Sequence, residues 1–353
     1  MSGKKPRVRS LVLACVALSP LIVLAGTLSS ARLDAAEDPN RAACASIRQS
    51  SNPKAFISNG LIDAVVFLPD AKDGYYRGSR FDWSGVVGCL AYKSHTYFGV
   101  WFPHYDPLLH DAITGPVEEF RPRDAAPLNY DLAKPGELFV KPGVGALRRI
   151  DDGPFKFAAP YPVVDGGKWT VHTSHDGVRF RQDLNGPSGI SYVYKKTLKL
   201  EKHQPVLILE HELKNTGTRT IETDVYNHDF FVLDGTPTGP NMVVRFPVEP
   251  KAEPGLSNGG RIDGKQIVYD RELQTGEAVA SSLTGFSSNL ADYDFFVENR
   301  STGVGVEQSG DLPISSMYFW SIRTTICPEA YVHLKISPGQ TTHWATRYRF
   351  YAR

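Results

Sequence analysis

Apolar and polar positions alternate with period two at the C-terminal end of the chain. Thr342, Trp344, Thr346, Tyr348 and Phe350 fall on one side of an extended segment, and His343, Arg347 and Arg349 on the other. Such alternation marks a strand with one face buried. Val332, Leu334 and Ile336 repeat the pattern upstream against His333 and Lys335. Between the two runs stands Pro338-Gly339, a type II turn pair in which proline presets its own φ and glycine accepts the positive φ that follows. The spacing predicts an antiparallel hairpin. A second hairpin is expected between Val206 and Leu233, where the run Val206 to Leu213 leads through the turn residues Asn215-Thr216-Gly217-Thr218 into another extended run. On that second run Tyr226, His228 and Phe230 share one face, and Asn227, Asp229 and Phe231 the other. Elsewhere 31 glycines and 25 prolines cut the chain into short runs rich in Val, Ile, Tyr, Phe and Thr, and only the N-terminal apolar segment suits a long helix. The fold class expected from this pattern is all-β.

Composition sets the scale. At 353 residues the chain exceeds a typical domain of about 100–200, yet large β-sandwiches and barrels run to about 250 as one unit. Hydrophobic residues make up 41%, enough for a substantial core, and 39 basic against 38 acidic residues leave no global field. Neither nucleic acid nor an anionic membrane surface is indicated as a partner. At the N-terminus Lys4, Lys5, Arg7 and Arg9 precede an apolar run from Leu11 to Leu28 and the small residues Ser29-Ser30-Ala31. That order is the layout of a secretory signal, and the length of the run leaves an uncleaved membrane anchor as the alternative. Residues 1–31 are thus expected to be a signal peptide or signal anchor that exports the remainder to the periplasm or the exterior. Residues 32–53 read as a flexible linker and 54–353 as the folded domain. Besides Cys15 in the apolar run, Cys44, Cys89 and Cys327 form an odd set without CxxC spacing. Three buried thiols are the expectation, with one bridge as the alternative and no zinc site.

Candidate chemistry gathers on a few residues. His228 shares its strand face with aromatics, a setting for either a cleft or a buried structural imidazole. Glu329 follows in Ile326-Cys327-Pro328-Glu329, and a histidine and a carboxylate together can act as acid and base near neutrality. The loop-rich stretch from Pro103 to Gly145 concentrates His104, Asp106, His110, Glu118, Glu119, Arg121 and Arg123, and long polar loops on a β scaffold commonly line a site. Arg80 suits hydrogen bonding to hydroxyls, and Trp83, Trp101 and Trp320 are candidates to stack on the flat face of a ligand, with core packing the alternative. His172, His175 and Asp176 lack a third ligand of recognisable spacing and read as a solvated turn. Glu210 and Glu212 share a strand face, which by itself points only to a charged exposed surface.

Several of these segments, taken together, resemble the galactose mutarotase (aldose 1-epimerase) superfamily. Asn227-His228-Asp229-Phe230-Phe231 is similar to its Asn-His-x-x-Phe segment, and Ile326-Cys327-Pro328-Glu329 to its hydrophobic-Cys-x-Glu segment. Pro338-Gly339-Gln340 through Tyr348-Arg349-Phe350 resembles its closing turn and final strand, and Tyr75 to Phe81 an early segment that supplies a substrate-binding arginine. The resemblance implies a β-supersandwich of large antiparallel sheets, a sugar (aldose or oligosaccharide) as partner, no cofactor and no metal. It implies interconversion of α and β anomers, with His228 as acid at the ring oxygen and Glu329 as base at the anomeric hydroxyl. Arg80, Tyr226, Asn227 and Trp320 are the substrate-binding residues expected beside them. The family's further histidine, in a His-Gly-Gly-like context, has no counterpart. The corresponding region reads Thr114-Gly115-Pro116-Val117-Glu118-Glu119-Phe120. Two other functions fit the same fold: a non-catalytic carbohydrate-binding protein, and a polysaccharide lyase or hydrolase.

Overall fold

The structure is a computed structural model that describes residues 38–353. The segment read as a signal or anchor lies outside the described residues. Strands dominate, and they assemble as two broad antiparallel layers. One is a ten-stranded sheet that includes Val206–Asn215 and Thr341–Ala352 as neighbours near its middle. The other combines a six-stranded sheet with a four-stranded one, joined through the single bridges Phe98↔Phe231 and Phe231↔Ile326. A three-stranded sheet, Leu138–Lys141, Gly145–Arg148 and Val163–Asp165, adds to the side of this second layer. The main core lies between the layers and contains Leu207, Leu209 and Leu213, Val225 and Phe231, and Phe319, Ala330 and Val332. A second core, with Phe81, Trp83, Trp101, Val117, Phe139, Phe230 and Cys327, covers the outer side of the second layer. The architecture is all-β, as the alternating pattern predicts, and its sheets pack as the antiparallel β-sandwich that the resemblance implies.

The individual strands follow their sequence, but their pairing does not. Thr341–Ala352 buries Trp344, Thr346, Tyr348 and Phe350 as its alternation requires. Ser337-Pro338-Gly339-Gln340 closes as a β-turn, with Gln340 N–H donating to the Ser337 carbonyl at 3.0 Å and Gly339 at φ +79°. Yet Thr325–Ile336 pairs with Ile221–His228 and Ser316–Ile322 in the six-stranded sheet, while Thr341–Ala352 belongs to the ten-stranded sheet. The turn carries the chain from one layer to the other, so the expected hairpin is an arch. The second expected hairpin is corrected in the same way, because Val206–Asn215 lies in the ten-stranded sheet and Ile221–His228 in the six-stranded one. In both arches the alternating apolar residues face each other across the core instead of lying side by side.

The N-terminal boundary and the cysteine expectation also change. Within the stretch read as a linker, Pro39–Ala43 and Ala45–Arg48 are short helices. Asp38 caps the first, accepting from Asn40 N–H at 2.9 Å, and proline occupies its first position, where a missing N–H costs nothing. Cys44, between the helices, is bonded to Cys89 on the strand Val86–Tyr92, and both pack against Val65 and Ala91. Only Cys327 is a free thiol among the described residues. The bridge fastens the helical segment to the sandwich, so Cys44→Ser is expected to destabilise the protein by about 2–4 kcal/mol. Urea unfolding of the variant beside the oxidised parent checks this, and an unchanged midpoint contradicts it.

Candidate functional site

Four neighbouring strands of the six-stranded sheet floor a cleft: Ser316–Ile322, Thr325–Ile336, Ile221–His228 and Val117–Phe120. Successive strand residues point to opposite faces, so the register decides which side chains meet. Tyr318 pairs with Glu329, Tyr331 with Tyr226, and Tyr226 with Glu119. His228 stands two residues beyond Tyr226 on the same face. Loops of the second core raise the walls, contributing Arg80, Asp111, Arg121, Arg123 and Phe157. The cleft encloses about 420 Å³, within the ~300–1,000 Å³ of small-ligand sites.

His228 and Glu329, a hundred residues apart in sequence, meet at its floor. His228 Nε2 lies 3.3 Å from Glu329 Oε1, and Tyr331 donates its hydroxyl to Glu329 Oε2 at 3.3 Å. The imidazole is stacked on Phe230, with ring centroids 3.8 Å apart, and edged by Phe81 and Trp320. Its Nδ1 is buried without a hydrogen-bond partner. Burial, reinforced by the positive Arg80, pulls the His228 pKa down to about 3, and burial pushes the Glu329 carboxyl up to about 8 against the opposing pull of Arg80. At neutral pH the contact therefore joins an uncharged imidazole to a protonated carboxyl. With no acceptor behind Nδ1, an imidazolium here lacks the second support that a triad gives its histidine.

Charge is concentrated one layer back. Glu119 is fully buried and gathers three cations: Arg80 Nε at 3.0 Å, Lys141 Nζ at 3.0 Å and Arg121 Nε at 3.2 Å. It also accepts the Tyr226 hydroxyl at 2.6 Å. Burial opposes ionisation of Glu119, yet these cations hold its carboxyl well below the ordinary range. Arg80 is paired with Asp111 as well, donates to the Tyr226 hydroxyl at 3.2 Å, and lies between the rings of Phe81 and Phe157. Burial by itself raises Asp111, but Arg80 and His110 bring it down to about 2.

Of the residues expected from sequence, Arg80, Tyr226, His228, Trp320 and Glu329 line this one cleft. Asn227 does not. It is on the opposite face of its strand, where its amide donates to Glu118 Oε1 at 2.9 Å and its carbonyl accepts from Thr346 at 3.2 Å. The expectation that it binds substrate is corrected accordingly; it ties the two layers together. Trp83 and Trp101 are buried, their indole N–H groups donating to the carbonyls of Gly78 and Ile113 at 2.8 Å. Glu210 and Glu212 pair with the surface lysines Lys199 and Lys195. His172, His175 and Asp176 are exposed, and no group of three or more His, Cys, Asp or Glu among the described residues has metal-binding geometry. Glu119, Arg121 and Arg123 belong to the polar stretch expected to line a site, whereas Lys141, Asp111, Tyr318, Tyr331 and Phe157 were not named from sequence. Of these, Tyr331 carried a usable signal, being two residues from Glu329 on a strand, and Asp111 and Lys141 lie within the same polar stretch.

No family model matches the chain, and no curated protein matches it. Solved structures do. A protein of Synechocystis sp. PCC 6803 superposes with a TM-score of 0.53 at 13% identity, over 86% of this chain and 97% of its own. An aldose epimerase homologue from C. elegans gives 0.50 at 14% identity, over 85% and 99%. A galactose mutarotase-like protein from Clostridium acetobutylicum gives 0.50 at 13%, over 84% and 95%. At these identities the likeness speaks for the fold, which is the galactose mutarotase-like β-sandwich that the motif resemblance implied.

Proposed function

We propose that the protein binds an aldose in the cleft and interconverts its α and β anomers, with Glu329 and His228 as the proton-transfer pair. The observation that carries this reading is their 3.3 Å contact on the floor of a sugar-sized cleft. The anomeric hydroxyl and the ring oxygen are bonded to one carbon, so two groups in mutual contact are spaced to serve both. The resting protonation favours roles opposite to those the resemblance implies. Glu329 gives its proton to the ring oxygen while His228 Nε2 takes the proton of the anomeric hydroxyl, and the Glu329 carboxylate formed in the same step, 3.3 Å away, is the counter-ion that the imidazolium otherwise lacks. The C1–ring oxygen bond breaks, the C1 carbonyl forms, and rotation about C1–C2 presents its other face. On reclosure the hydroxyl at the former ring oxygen attacks C1 and returns its proton to Glu329, while His228 gives its proton to the carbonyl oxygen. Tyr226 and Arg80, fixed by Glu119, present hydroxyl and guanidinium groups to the sugar, and Trp320 offers a ring edge and face at one end.

Both groups are in the required form between their shifted pKa values, about 3 for His228 and about 8 for Glu329. The wild-type protein is expected to accelerate the polarimetric drift of at least one α-aldose, with kcat/KM level across that interval and falling above about pH 8 as Glu329 loses its proton. A rate that instead rises through this range assigns the base role to Glu329. Unchanged drift over a panel of aldoses that bind makes the protein a carbohydrate-binding one. New reducing ends or unsaturated uronates released from a polymer make it a polysaccharide-processing enzyme. We further propose export, supported by the basic-then-apolar N-terminus and by the Cys44–Cys89 bridge, since such bonds persist chiefly in oxidising compartments.

A further inference from the structure

The cleft carries more positive charge than its proton-transfer pair requires. Arg80 is engaged through each of its three nitrogens, by Glu119, Asp111 and Tyr226, with one further N–H on each Nη for a sugar hydroxyl. Arg121 is not: Nε meets Glu119 and Nη1 donates to the carbonyls of Pro122 at 2.9 Å and Arg123 at 2.6 Å, which leaves Nη2 without a hydrogen-bond partner among the described residues. Arg123 is freer still. Its guanidinium lies 4.5 Å above the Tyr318 ring, its side chain is 24% exposed, and its nearest carboxylate, Asp124, is 3.8 Å away on a side chain that is itself 91% exposed. A guanidinium stacked on an aromatic ring, with its donor fork unclaimed, is oriented to receive a planar or tetrahedral oxyanion.

Placement makes that fork relevant to a sugar. Tyr318, which supports Arg123, is the cross-strand partner of Glu329. Arg121 follows Glu119 by two residues, so it shares the cleft-facing side, and its N–H pairs with the Asp224 carbonyl, four residues before His228. Four residues of strand span about 13 Å, which a hexose and an inward-leaning arginine side chain cover together. Trp320 lies toward the other end of the cleft, level with Cys327. A sugar with its anomeric carbon at His228 and Glu329 therefore has one end to turn toward the two arginines. In and behind the cleft, Arg80, Lys141, Arg121 and Arg123 face Glu119, Asp111 and the rim residue Asp124, while Glu329 holds its proton at neutral pH. The balance is positive.

Building on the sugar-cleft reading above, we propose that the ligand is an anionic sugar, whose carboxylate or phosphate is received by the unclaimed donors of Arg123 and Arg121. Calorimetric titration of the full chain with D-glucuronate, D-glucose 6-phosphate and D-glucose tests this and separates the two anion sources. At least one anionic sugar is expected to bind about tenfold or more tighter than glucose, with an advantage that shrinks as salt is raised. Arg123→Gln is expected to weaken the anionic sugar at least about tenfold more than it weakens glucose, and Arg123→Lys, which keeps the charge but not the fork, to fall between. Thermal melts of both variants establish that they remain folded. Glucose binding as tightly as both anionic sugars overturns the proposal, as does an Arg123→Gln variant, folded, that retains the full anion preference. Accelerated drift of glucose with no anion preference overturns it while leaving the anomer-exchange reading intact. Glucuronate or glucose 6-phosphate bound through Arg123 with no acceleration of its anomer exchange sustains this proposal and removes the other.

Discussion

Glu329→Gln is expected to slow anomer exchange by about 10²–10⁴-fold and at the same time to make the protein harder to unfold in alkaline solution. The two effects have one cause. Burial raises the Glu329 pKa from 4.5 to about 8, so the native state holds this proton more tightly than the unfolded chain does. The stabilisation associated with the proton is present in acid and is lost as pH climbs from the unfolded carboxylate value through about 8. Above that, the folded protein carries a buried charge that glutamine does not. The variant should therefore match the parent at acid pH and exceed it in alkali by at least about 1 kcal/mol. Urea midpoints on both sides of neutrality measure the difference, alongside polarimetry on the same preparations. A variant less stable than the parent at high pH shows that the carboxyl was not held protonated, and the assigned roles fall with it.

Removing the charge one layer back should have the opposite result. Glu119→Ala leaves Arg80, Lys141 and Arg121 without their shared carboxylate in a buried setting. Breaking a buried ion cluster from one side costs about 3–5 kcal/mol, because the remaining charges keep their desolvation penalty and lose their partner. Glu119→Ala is expected to lower the unfolding free energy by that amount. Glu210→Ala, which removes only the exposed partner of Lys199, should change it by less than about 1 kcal/mol. Equal effects from the two substitutions, measured in one urea series, would show that the Glu119 cluster contributes no more than a surface pair. The cluster also sets the cleft wall, since Glu119 fixes both the guanidinium of Arg80 and the hydroxyl of Tyr226.

What the sequence conveyed and what it withheld divide along a physical line. Alternation reports which side chains share a face, because that depends only on the pleat of one strand. It placed Tyr226 and His228 together, and Trp344 with Tyr348, as the structure has them. Pairing depends on which neighbour supplies the ladder hydrogen bonds, and no periodicity encodes it. Val206–Asn215 and Ile221–His228 have the lengths and the turn of a hairpin, yet the same inward apolar rows serve as well when the strands face each other from opposite layers. Glu118 and Glu119 read as part of a loop-rich polar stretch, because carboxylates are ordinarily exposed. Only the convergence of Lys196 and His211 on one and of Arg80, Lys141 and Arg121 on the other lets both enter the interior of a strand. Cys44 and Cys89 carried no signature that singled out their bond, since a sequence separation of 45 matches no recognised spacing.

The strand Ile221–His228 carries two interleaved instructions. Tyr226 and His228 address the cleft, while Val225 and Asn227 address the opposite layer, Val225 through the apolar core and Asn227 through Thr346. Because the two sets occupy alternate positions, substitutions can rewrite the ligand-facing residues without disturbing adhesion between the layers. Insertions cannot. One extra residue in this strand would exchange the sets, turning Val225 and Asn227 toward the ligand and the Tyr226 phenol and His228 imidazole into the seam. Descendants of this chain are thus free to diverge in what they recognise through point changes in this segment, but are held to its length.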